Sequence, residues 1–294
     1  MESGVIISSL AGYFFVSVGE KLLMCRARGR LREEGVTPLV GDRVKLSAEV
    51  ATETVVVTEL LPRRNYLVRP AVANVDKVIV VMCPRQPKPN LLLVDKIIAM
   101  ACHADMEPVV CVNKADLDMK AAESLAAVYK EAGHETVITS AVTGMGTEML
   151  SHIIGKSTVV LAGQSGVGKS LLTTLVSRAW PDMEVQVGRV SNKGGRGRHT
   201  TRQVSLLSGL HGGRVADTPG FSMLDPDMPS DYLPHCFIEF REFMAACRFN
   251  NCSHVHEPGC AVRAAVDNGS INVSRYQNYC RLLSEIQEKE GARY

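Results

Sequence analysis

The sequence predicts an α/β protein with three regions: a small N-terminal β-barrel, a central domain with a mostly parallel sheet, and a helical C-terminal region. Three observations lead to this prediction. Short β-like segments separated by glycine, proline and charged residues fill residues 1–69. Continuous apolar strands alternate with helical segments over residues 70–229, which is typical of a parallel sheet covered on both faces. A cluster of cysteines precedes a helix within residues 230–294.

The barrel is predicted from segments with strand-like composition and no helical period: Val5–Ser9, Tyr13–Val18, Leu22–Ala27, Asp42–Ser47 and Thr54–Leu60. Within it, the stretch CRARGRLR carries arginines at a spacing of two, which on an extended chain places them on one face. We interpret this positive face as a candidate RNA-binding surface: Arg26, Arg28, Arg30 and Arg32. A solvated edge strand, whose charges discourage aggregation, explains the pattern equally well.

Composition places the chain among ordinary globular proteins, with 46% hydrophobic and 22% charged residues over 294 positions. Because the formal net charge is only +2, affinity for nucleic acid must come from local clusters of basic residues. The N-terminus carries Glu2 where a secretory signal would carry positive charge, and no run of about eighteen apolar residues occurs. We therefore expect a cytoplasmic protein that does not enter the membrane. Single cysteines in or beside apolar segments are expected to be buried or partly buried thiols: Cys25, Cys83, Cys102, Cys111 and Cys280.

The string GQSGVGKS fits the phosphate-binding pattern G-x-x-x-x-G-K-[ST]. It follows the apolar STVVLAG and precedes the helical LLTTLVSRAW, so a simple glycine-rich turn is the weaker alternative. Its backbone N–H groups would face phosphate oxygens, Lys169 would supply charge to the β and γ phosphates, and Ser170 would bind Mg²⁺. The predicted nucleotide-binding residues here are Gly163, Gln164, Ser165, Gly166, Val167, Gly168, Lys169, Ser170 and Leu171.

The string NKAD, at the end of the apolar PVVCV, predicts that the base is guanine. The Asp116 carboxylate can accept hydrogen bonds from N1–H and N2–H₂ of guanine, a donor edge that adenine lacks. Asn113 would bond the base and tether the phosphate loop, while the stem of Lys114 covers the ring. The string TSA, also at a strand end, adds Ser140 and the backbone N–H of Ala141, which can reach guanine O6. A polar turn at a strand end is the alternative.

The string DTPG, after the apolar RVA, places Asp217 near Mg²⁺ and the Gly220 N–H near the γ-phosphate. A β-turn alone would also explain TPG. The guanine-reading string precedes the phosphate loop in this chain, which reverses the usual order. A parallel sheet tolerates that reversal because all its strand ends lie at one rim, so the order predicts a circular permutation with the cut after DTPG.

The stretch CRFNNCSHVHEPGC provides Cys247, Cys252, Cys260 and a histidine, either His254 or His256. A Cys₃His set of soft ligands suits a tetrahedral structural zinc ion. A disulfide or unrelated buried thiols form the alternative.

Together with RPAVANVDKVIVV, GGRGRHTT, DTPGF and SRYQNYCRLL, these strings resemble the circularly permuted GTPases of the RsgA/YjeQ type, bacterial factors in small ribosomal subunit maturation. The resemblance covers nearly the whole chain. It implies an OB-fold in 1–69, a permuted P-loop GTPase domain in 70–229 and a zinc-binding helical domain in 230–294, with His254 as the zinc ligand. It further implies one structural zinc per chain, magnesium with GTP, and GTP, GDP, the small ribosomal subunit and its rRNA as partners. We expect a monomer.

The resemblance also implies the catalytic residues. In the stretch GRHTT, Thr200 or Thr201 would bind Mg²⁺ and contact the γ-phosphate. Many GTPases place a water-orienting glutamine after DTPG, but this chain has Phe221, and the family implies His199 as the substitute. An exposed loop histidine is the alternative reading of His199. With Lys169, these residues predict a GTP-hydrolysing switch that docks on the small subunit. An RNA-binding protein whose affinity is only tuned by GTP is the rival, while Asp116 argues against an ATPase or kinase.

Overall fold

The structure is a computed structural model that describes residues 2–19, 21–27, 37–49, 54–180, 183, 204–217 and 228–292. The chain forms two compact units. The first comprises Met1–Lys77, Ser151–Leu161 and Ser170–Phe221, and the second comprises Val78–Leu150, Ala162–Lys169 and Ser222–Tyr294.

The N-terminal region is a closed five-stranded barrel, as predicted. Its strands are β1 (Glu2–Leu10), β2 (Tyr13–Val18), β3 (Lys21–Ala27), β4 (Arg43–Glu49) and β5 (Thr54–Leu60), hydrogen-bonded in the order β1-β2-β3-β5-β4. The pairing of β3 with β5 is parallel and the other pairings are antiparallel. Apolar side chains at alternating positions fill the interior: Ile6, Val16, Cys25, Val44, Leu46 and Val57.

After a short hairpin of β6 (Tyr66–Leu67) and β7 (Val72–Ala73), the chain builds a seven-stranded sheet. Its strands are β8 (Lys77–Met82), β9 (Glu107–Val112), β10 (Thr136–Ile138), β11 (Thr158–Ala162), β12 (Ser177–Arg178), β13 (Ser205–Gly209) and β14 (Arg214–Asp217), in the order β10-β9-β8-β11-β14-β13-β12. β9 with β10 and β11 with β14 are parallel, whereas β13 is antiparallel to both of its neighbours. The mostly parallel sheet of the prediction is therefore confirmed.

The antiparallel strands β12 and β13 at the edge of the sheet correct the expected end of one helix. The stretch LLTTLVSRAW was expected to be wholly helical, but the helix ends at Val176 and Ser177–Arg178 form β12. Ser177 pairs with Gly209 of β13, and the Trp180 indole N–H donates to the Leu206 carbonyl at 2.8 Å. Pairing with a distant strand thus outweighs the local helical preference.

Among the described residues, four helices connect these strands: α1 (Leu91–His103), α2 (Met119–Glu131), α3 (Thr147–Ile154) and α4 (Lys169–Val176). Side-chain caps set the start of the first two. The Asn90 side-chain oxygen accepts from the Leu93 N–H at 3.1 Å, and the Asp118 carboxylate accepts from the Ala121 N–H at 3.0 Å. In the part of the chain that the structure describes, no helix combines the length and apolar character needed to cross a bilayer.

The C-terminal region contains two 3₁₀ turns, Leu233–Cys236 and Ile238–Phe240, and the helices α5 (Arg241–Met244), α6 (Ala261–Asp267) and α7 (Val273–Gly291). Its core includes Phe237, Phe240 and Tyr279, whose rings pack at centroid separations of 4.9–5.2 Å. Ala99 of α1 belongs to the same core, so this region packs around a helix of the sheet domain.

A buried charge network adds to that packing. Arg275 on α7 is 1% exposed and donates to Asp95 on α1 at 2.6 Å and to Glu239 at 2.7 and 2.9 Å. Asn278 donates to the second Asp95 oxygen at 2.6 Å. Burial raises the pKa of Asp95, although the charge of Arg275 and the hydrogen bonds from Asn278 and Arg275 favour the carboxylate. Burial also opposes the charge of Arg275, but its contacts with Asp95 and Glu239 leave its pKa raised. Arg275 and Asp95 form an ion pair at 2.6 Å.

Candidate nucleotide site and metal cluster

The phosphate loop connects β11 to α4 and contains two glycines at positions where a Cβ would clash with a neighbouring atom. Gly163 has φ +136°, and a Cβ there would lie 2.1 Å from the Val81 carbonyl oxygen. Gly168 has φ +97°, and a Cβ there would lie 2.5 Å from Asn113 Nδ2. Both positions combine left-handed backbone with close contact, so the glycines of the motif permit this tight loop.

The Lys169 side chain lies against the start of the loop. Its ammonium donates to the carbonyl oxygens of Gly163 at 2.8 Å and Gln164 at 2.9 Å, and partial burial lowers its pKa. Ser165 and Gly166 are exposed in the loop, while Ser170 and Leu171 are exposed in the first turn of α4. Exposed backbone N–H groups at a helix N-terminus attract anions, and Lys169 adds a positive charge next to them.

Asn113 connects the phosphate loop to the segments expected to read the base. This side chain is 1% exposed, and its Nδ2 donates to the Val167 carbonyl at 2.9 Å. Its Oδ1 accepts from the Thr139 hydroxyl at 3.0 Å and from the Ala141 N–H at 3.1 Å. The expected tether to the phosphate loop is therefore present, and one amide hydrogen of Asn113 remains for another acceptor.

The Ala141 N–H, which we expect to reach guanine O6, has a partner within the protein. It donates to Asn113 Oδ1 at 3.1 Å. Local sequence patterns do not indicate this bond, because the two residues are 28 positions apart in the chain. A hydrogen bond from Ala141 to a base would need this contact to be shared or exchanged.

Asp116 is exposed but fixed in direction, because the Ser140 hydroxyl donates to its Oδ1 at 2.5 Å. The other carboxylate oxygen has no such constraint from Ser140. Lys114 has φ +60°, and its ammonium donates to the Gln86 carbonyl at 2.7 Å, which holds its stem along this surface. The motif therefore carries an exposed, oriented carboxylate and, two residues earlier, a lysine whose ammonium is held by the Gln86 carbonyl.

Several predicted residues are placed without neighbouring groups that reveal a role, or lie outside the description. Asp217 is the exposed last residue of β14 and stands opposite Ser205 of β13. Arg26 on β3 is exposed, and its guanidinium bonds the Tyr13 hydroxyl and lies 4.6 Å from the centre of that ring. The predicted residues that fall outside the described residues are Arg28, Arg30, Arg32, His199, Thr200, Thr201, Gly220 and Phe221.

The cysteine cluster forms a compact set of four metal-ligand atoms. Cys247, Cys252, His254 and Cys260 bring these atoms within 4.8 Å of one another. His254 Nδ1 is 3.6 Å from Cys247 Sγ and 3.4 Å from Cys260 Sγ, and these two sulfurs are 4.0 Å apart. Tetrahedral zinc, with Zn–S of about 2.3 Å and Zn–N of about 2.0 Å, separates such atoms by about 3.5–3.8 Å. The cluster therefore fits a zinc ion.

Electrostatics also favour a cation there. Burial raises the pKa of Cys252 to about 12 and raises that of Cys260, so thiolates at these positions need a compensating positive charge. The loop itself is stabilised by Glu257, whose carboxylate accepts from the N–H groups of Ser253 at 2.7 Å and Val255 at 3.2 Å. Of the two candidate histidines, His254 is in the cluster, whereas His256 is exposed and is not part of it.

Comparison with known proteins matches nearly the whole chain to one family. Residues 60–227 match the family described as RsgA GTPase, and residues 3–56 match the RsgA N-terminal domain. This chain belongs to the RsgA GTPase family. It is 45% identical over 292 residues to the small ribosomal subunit biogenesis GTPase RsgA of Caldanaerobacter subterraneus subsp. tengcongensis, covering 99% of this chain and 98% of the relative.

Two solved RsgA-type structures share the fold. The crystal structure of YloQ, a circularly permuted GTPase, superposes with a TM-score of 0.81 at 33% identity and covers 98% of this chain and 96% of its own. YjeQ from Thermotoga maritima superposes with a TM-score of 0.82 at 34% identity, and the match covers 97% of this chain and 98% of the YjeQ chain. The permuted order of motifs is therefore confirmed, and this RsgA-family chain is a GTP-hydrolysing enzyme.

Sequence reasoning missed several polar partners of this RsgA-family site. Thr139 is the first residue of TSA, and its hydroxyl donates to Asn113, a role that the string itself does not indicate. The Val167 carbonyl and the Gln86 carbonyl hold Asn113 and Lys114, and backbone acceptors leave no trace in a motif. Only the strand-end position of TSA could have indicated that Thr139 lies near the base-reading string.

Proposed function

We propose that this chain is a GTP-driven molecular switch in late maturation of the small (30S) ribosomal subunit, that it binds rRNA, and that the subunit stimulates its GTP hydrolysis. The observation that carries the proposal is the fixed Asp116 carboxylate beside a phosphate loop tied to the same segment by Asn113. The relatives' names, which describe small ribosomal subunit biogenesis GTPases, supply the biological setting.

The geometry supports selection of guanine over adenine. The guanine of GTP offers two N–H donors to the carboxylate. The adenine of ATP lacks this pair of donors on the same edge, so ATP would leave the carboxylate without a hydrogen-bond partner. Ser140 bonds only one Asp116 oxygen, so the carboxylate is oriented and still has acceptor capacity. We therefore propose Asp116, Asn113 and Lys114 as the base-reading residues, with Ser140 and Ala141 beside them.

The phosphate end of the nucleotide is proposed to lie on the phosphate loop. Its residues from Gly163 to Leu171 would surround the phosphates, with Lys169 as the charged contact and Gly220 as a γ-phosphate contact. The hydroxyl of Ser170 and the carboxylate of Asp217 are oxygen donors of the kind that Mg²⁺ prefers, and both are exposed. Magnesium bound there would neutralise charge that develops on the phosphates.

For hydrolysis we propose His199 as the residue that orients the attacking water, because Phe221 has no group able to do so. Thr200 or Thr201 would contact the γ-phosphate and Mg²⁺, and loss of that contact after hydrolysis would release the loop. Docking on the subunit is proposed to involve Arg26, Arg28, Arg30 and Arg32 of the barrel together with the zinc region.

The Cys₃His cluster is proposed to hold one structural zinc ion per chain. All four ligand positions come from the protein, so no position is left for substrate. We further propose that residues 1–69, 70–229 and 230–294 act as RNA-binding, GTPase and zinc-binding domains, and that the protein works as a monomer in the cytoplasm, where it would meet the small subunit.

The test is GTP turnover by the zinc-loaded protein with and without purified small ribosomal subunits. The switch proposal expects strong stimulation by the subunit, and His199→Ala should lose most of that stimulated rate while binding GTP normally, because the missing contact forms mainly in the transition state. Ser170→Ala serves as the comparison, since it should lower turnover with or without the subunit. Turnover that the subunit leaves unchanged would favour the alternative, an rRNA-binding factor in which GTP only tunes affinity. This alternative is worth testing because Phe221 occupies the position of the usual water-orienting glutamine.

A further inference from the structure

Two thiols outside the zinc cluster lie together where α1 meets the C-terminal region. Cys102 is in the last turn of α1, and Cys236 ends the 3₁₀ turn Leu233–Cys236. Cys102 packs against the apolar core that contains Cys236, and its Sγ lies 3.9 Å from the carbonyl oxygen of His235, the residue before Cys236. The two thiols are close enough for each to shift the pKa of the other.

A fixed positive charge stands next to Cys102. Nη2 of Arg241 is 3.8 Å from Cys102 Sγ, and the same guanidinium is held in place by bonds of 3.1 and 2.8 Å to the His235 carbonyl. Interaction with the Cys236 thiol and the charge of Arg241 outweigh burial and the charge of Asp105, and they lower the pKa of Cys102 to about 7. The same interaction, with burial, raises the pKa of Cys236.

The two cysteines also differ in access to solvent. Cys102 is only partly buried, whereas Cys236 is 1% exposed. A small oxidant can therefore reach the sulfur that is already favoured as a thiolate, but not its neighbour. Cys280 on α7 offers a comparison, because it is partly buried like Cys102 but burial raises its pKa.

We propose that Cys102 and Cys236 form a reversible redox pair that reacts with hydrogen peroxide. The Cys102 thiolate attacks one peroxide oxygen, so that an S–O bond forms, the O–O bond breaks and hydroxide leaves; Cys102 becomes a sulfenic acid. The Cys236 sulfur then attacks the sulfur of that acid, the S–S bond forms, the S–O bond breaks, and water leaves with the thiol proton. Two thiols are oxidised and one peroxide is reduced, and a dithiol reductant reverses the reaction.

Each cysteine has a distinct role in this scheme. Cys102 is the attacking group because it is accessible and its thiolate is stabilised by Arg241. Cys236 needs no access to solvent because its step is intramolecular. The product would join the last turn of α1 covalently to the C-terminal region.

The decisive experiment treats the zinc-loaded full chain with a few equivalents of hydrogen peroxide, blocks free thiols by alkylation and maps disulfides by mass spectrometry, with released zinc measured in parallel. The expected product is a Cys102–Cys236 disulfide that dithiothreitol removes. In Cys236→Ser the reaction should stop at the sulfenic acid, which dimedone traps on Cys102. The matched variant Cys280→Ser should form the disulfide as readily as the unaltered chain.

A second measurement uses the unaltered chain, so its result does not depend on whether the variants fold. Iodoacetamide at pH 7 should modify Cys102 about tenfold faster than Cys280, since the lowered pKa supplies more thiolate. Equal rates at the two positions would overturn the proposal. So would oxidation confined to Cys247, Cys252 and Cys260 with release of zinc, or a Cys102 sulfenic acid that never becomes a disulfide although Cys236 is intact.

Discussion

Replacing Asn113 by alanine should weaken guanine-nucleotide binding by about two orders of magnitude. The side chain makes three hydrogen bonds of 2.9, 3.0 and 3.1 Å, which connect the phosphate loop at Val167 with Thr139 and Ala141. With a net worth of about 1 kcal/mol each, their loss amounts to about 3 kcal/mol, or about a hundredfold in an equilibrium constant. The lost free energy should appear in nucleotide binding. In the variant the nucleotide must itself order the two segments that Asn113 holds together in the unaltered chain.

The assay is titration calorimetry with GDP and Mg²⁺ at 25 °C, together with an unfolding curve for each variant to separate binding from stability. Thr139→Val is the graded control. It keeps the size of a fully buried side chain and removes a single donor to Asn113, so we expect a loss of about 1 kcal/mol, about fivefold in affinity.

The reasoning is refuted if Asn113→Ala binds GDP within about twofold of the unaltered chain while its unfolding is unchanged. A loss by Thr139→Val as large as that of Asn113→Ala would also count against it. In that case the effect would come from repacking around position 139 and not from the connection that Asn113 makes.

Three further predictions concern other parts of the chain. Asp116→Asn should lower GTP affinity and raise that for xanthosine triphosphate, whose base carbonyl can accept from the new amide; competition binding measures both, and unaltered GTP affinity would remove Asp116 from base recognition. Arg275→Ala should lower the free energy of unfolding by about 3–5 kcal/mol because it leaves Asp95 buried without its partner, whereas Lys96→Ala, which breaks a half-exposed pair with Glu285, should cost less than about 1 kcal/mol; similar urea midpoints for both would disprove the difference. Cys260→Ser should lose one zinc per chain, measured by atomic emission after purification without chelator, together with the order of the C-terminal region; an unchanged zinc content would contradict the ligand assignment.

Features with a local signal were predictable from the sequence. The barrel strands follow from composition and turn residues, and the segment expected at Val5–Ser9 is the centre of Glu2–Leu10. The strand expected at Tyr13–Val18 begins and ends at the expected residues because its apolar pattern lies within one segment. The phosphate loop is equally local, since its glycines, lysine and serine are consecutive in the chain.

Features that depend on distant partners were not predictable. The antiparallel edge formed by Ser177–Arg178 exists because of a strand about thirty residues later, and no propensity of two residues could reveal it. The burial of Arg275 is hidden for a similar reason: an arginine on an amphipathic helix is expected in solvent unless carboxylates are known to face it. The bond between Ala141 and Asn113 likewise depends on the geometry of two strand ends.

The packing of α1 limits how this protein can be divided. The helix follows β8 in the sheet domain, yet Ala99 lies in the C-terminal core and Asp95 forms an ion pair with Arg275. A fragment that stops before residue 230 would expose that apolar face and leave a carboxylate without its counter-charge. The C-terminal region is thus not a detachable module, and a shortened GTPase fragment is a poor substitute for the full chain in any comparison of nucleotide affinity.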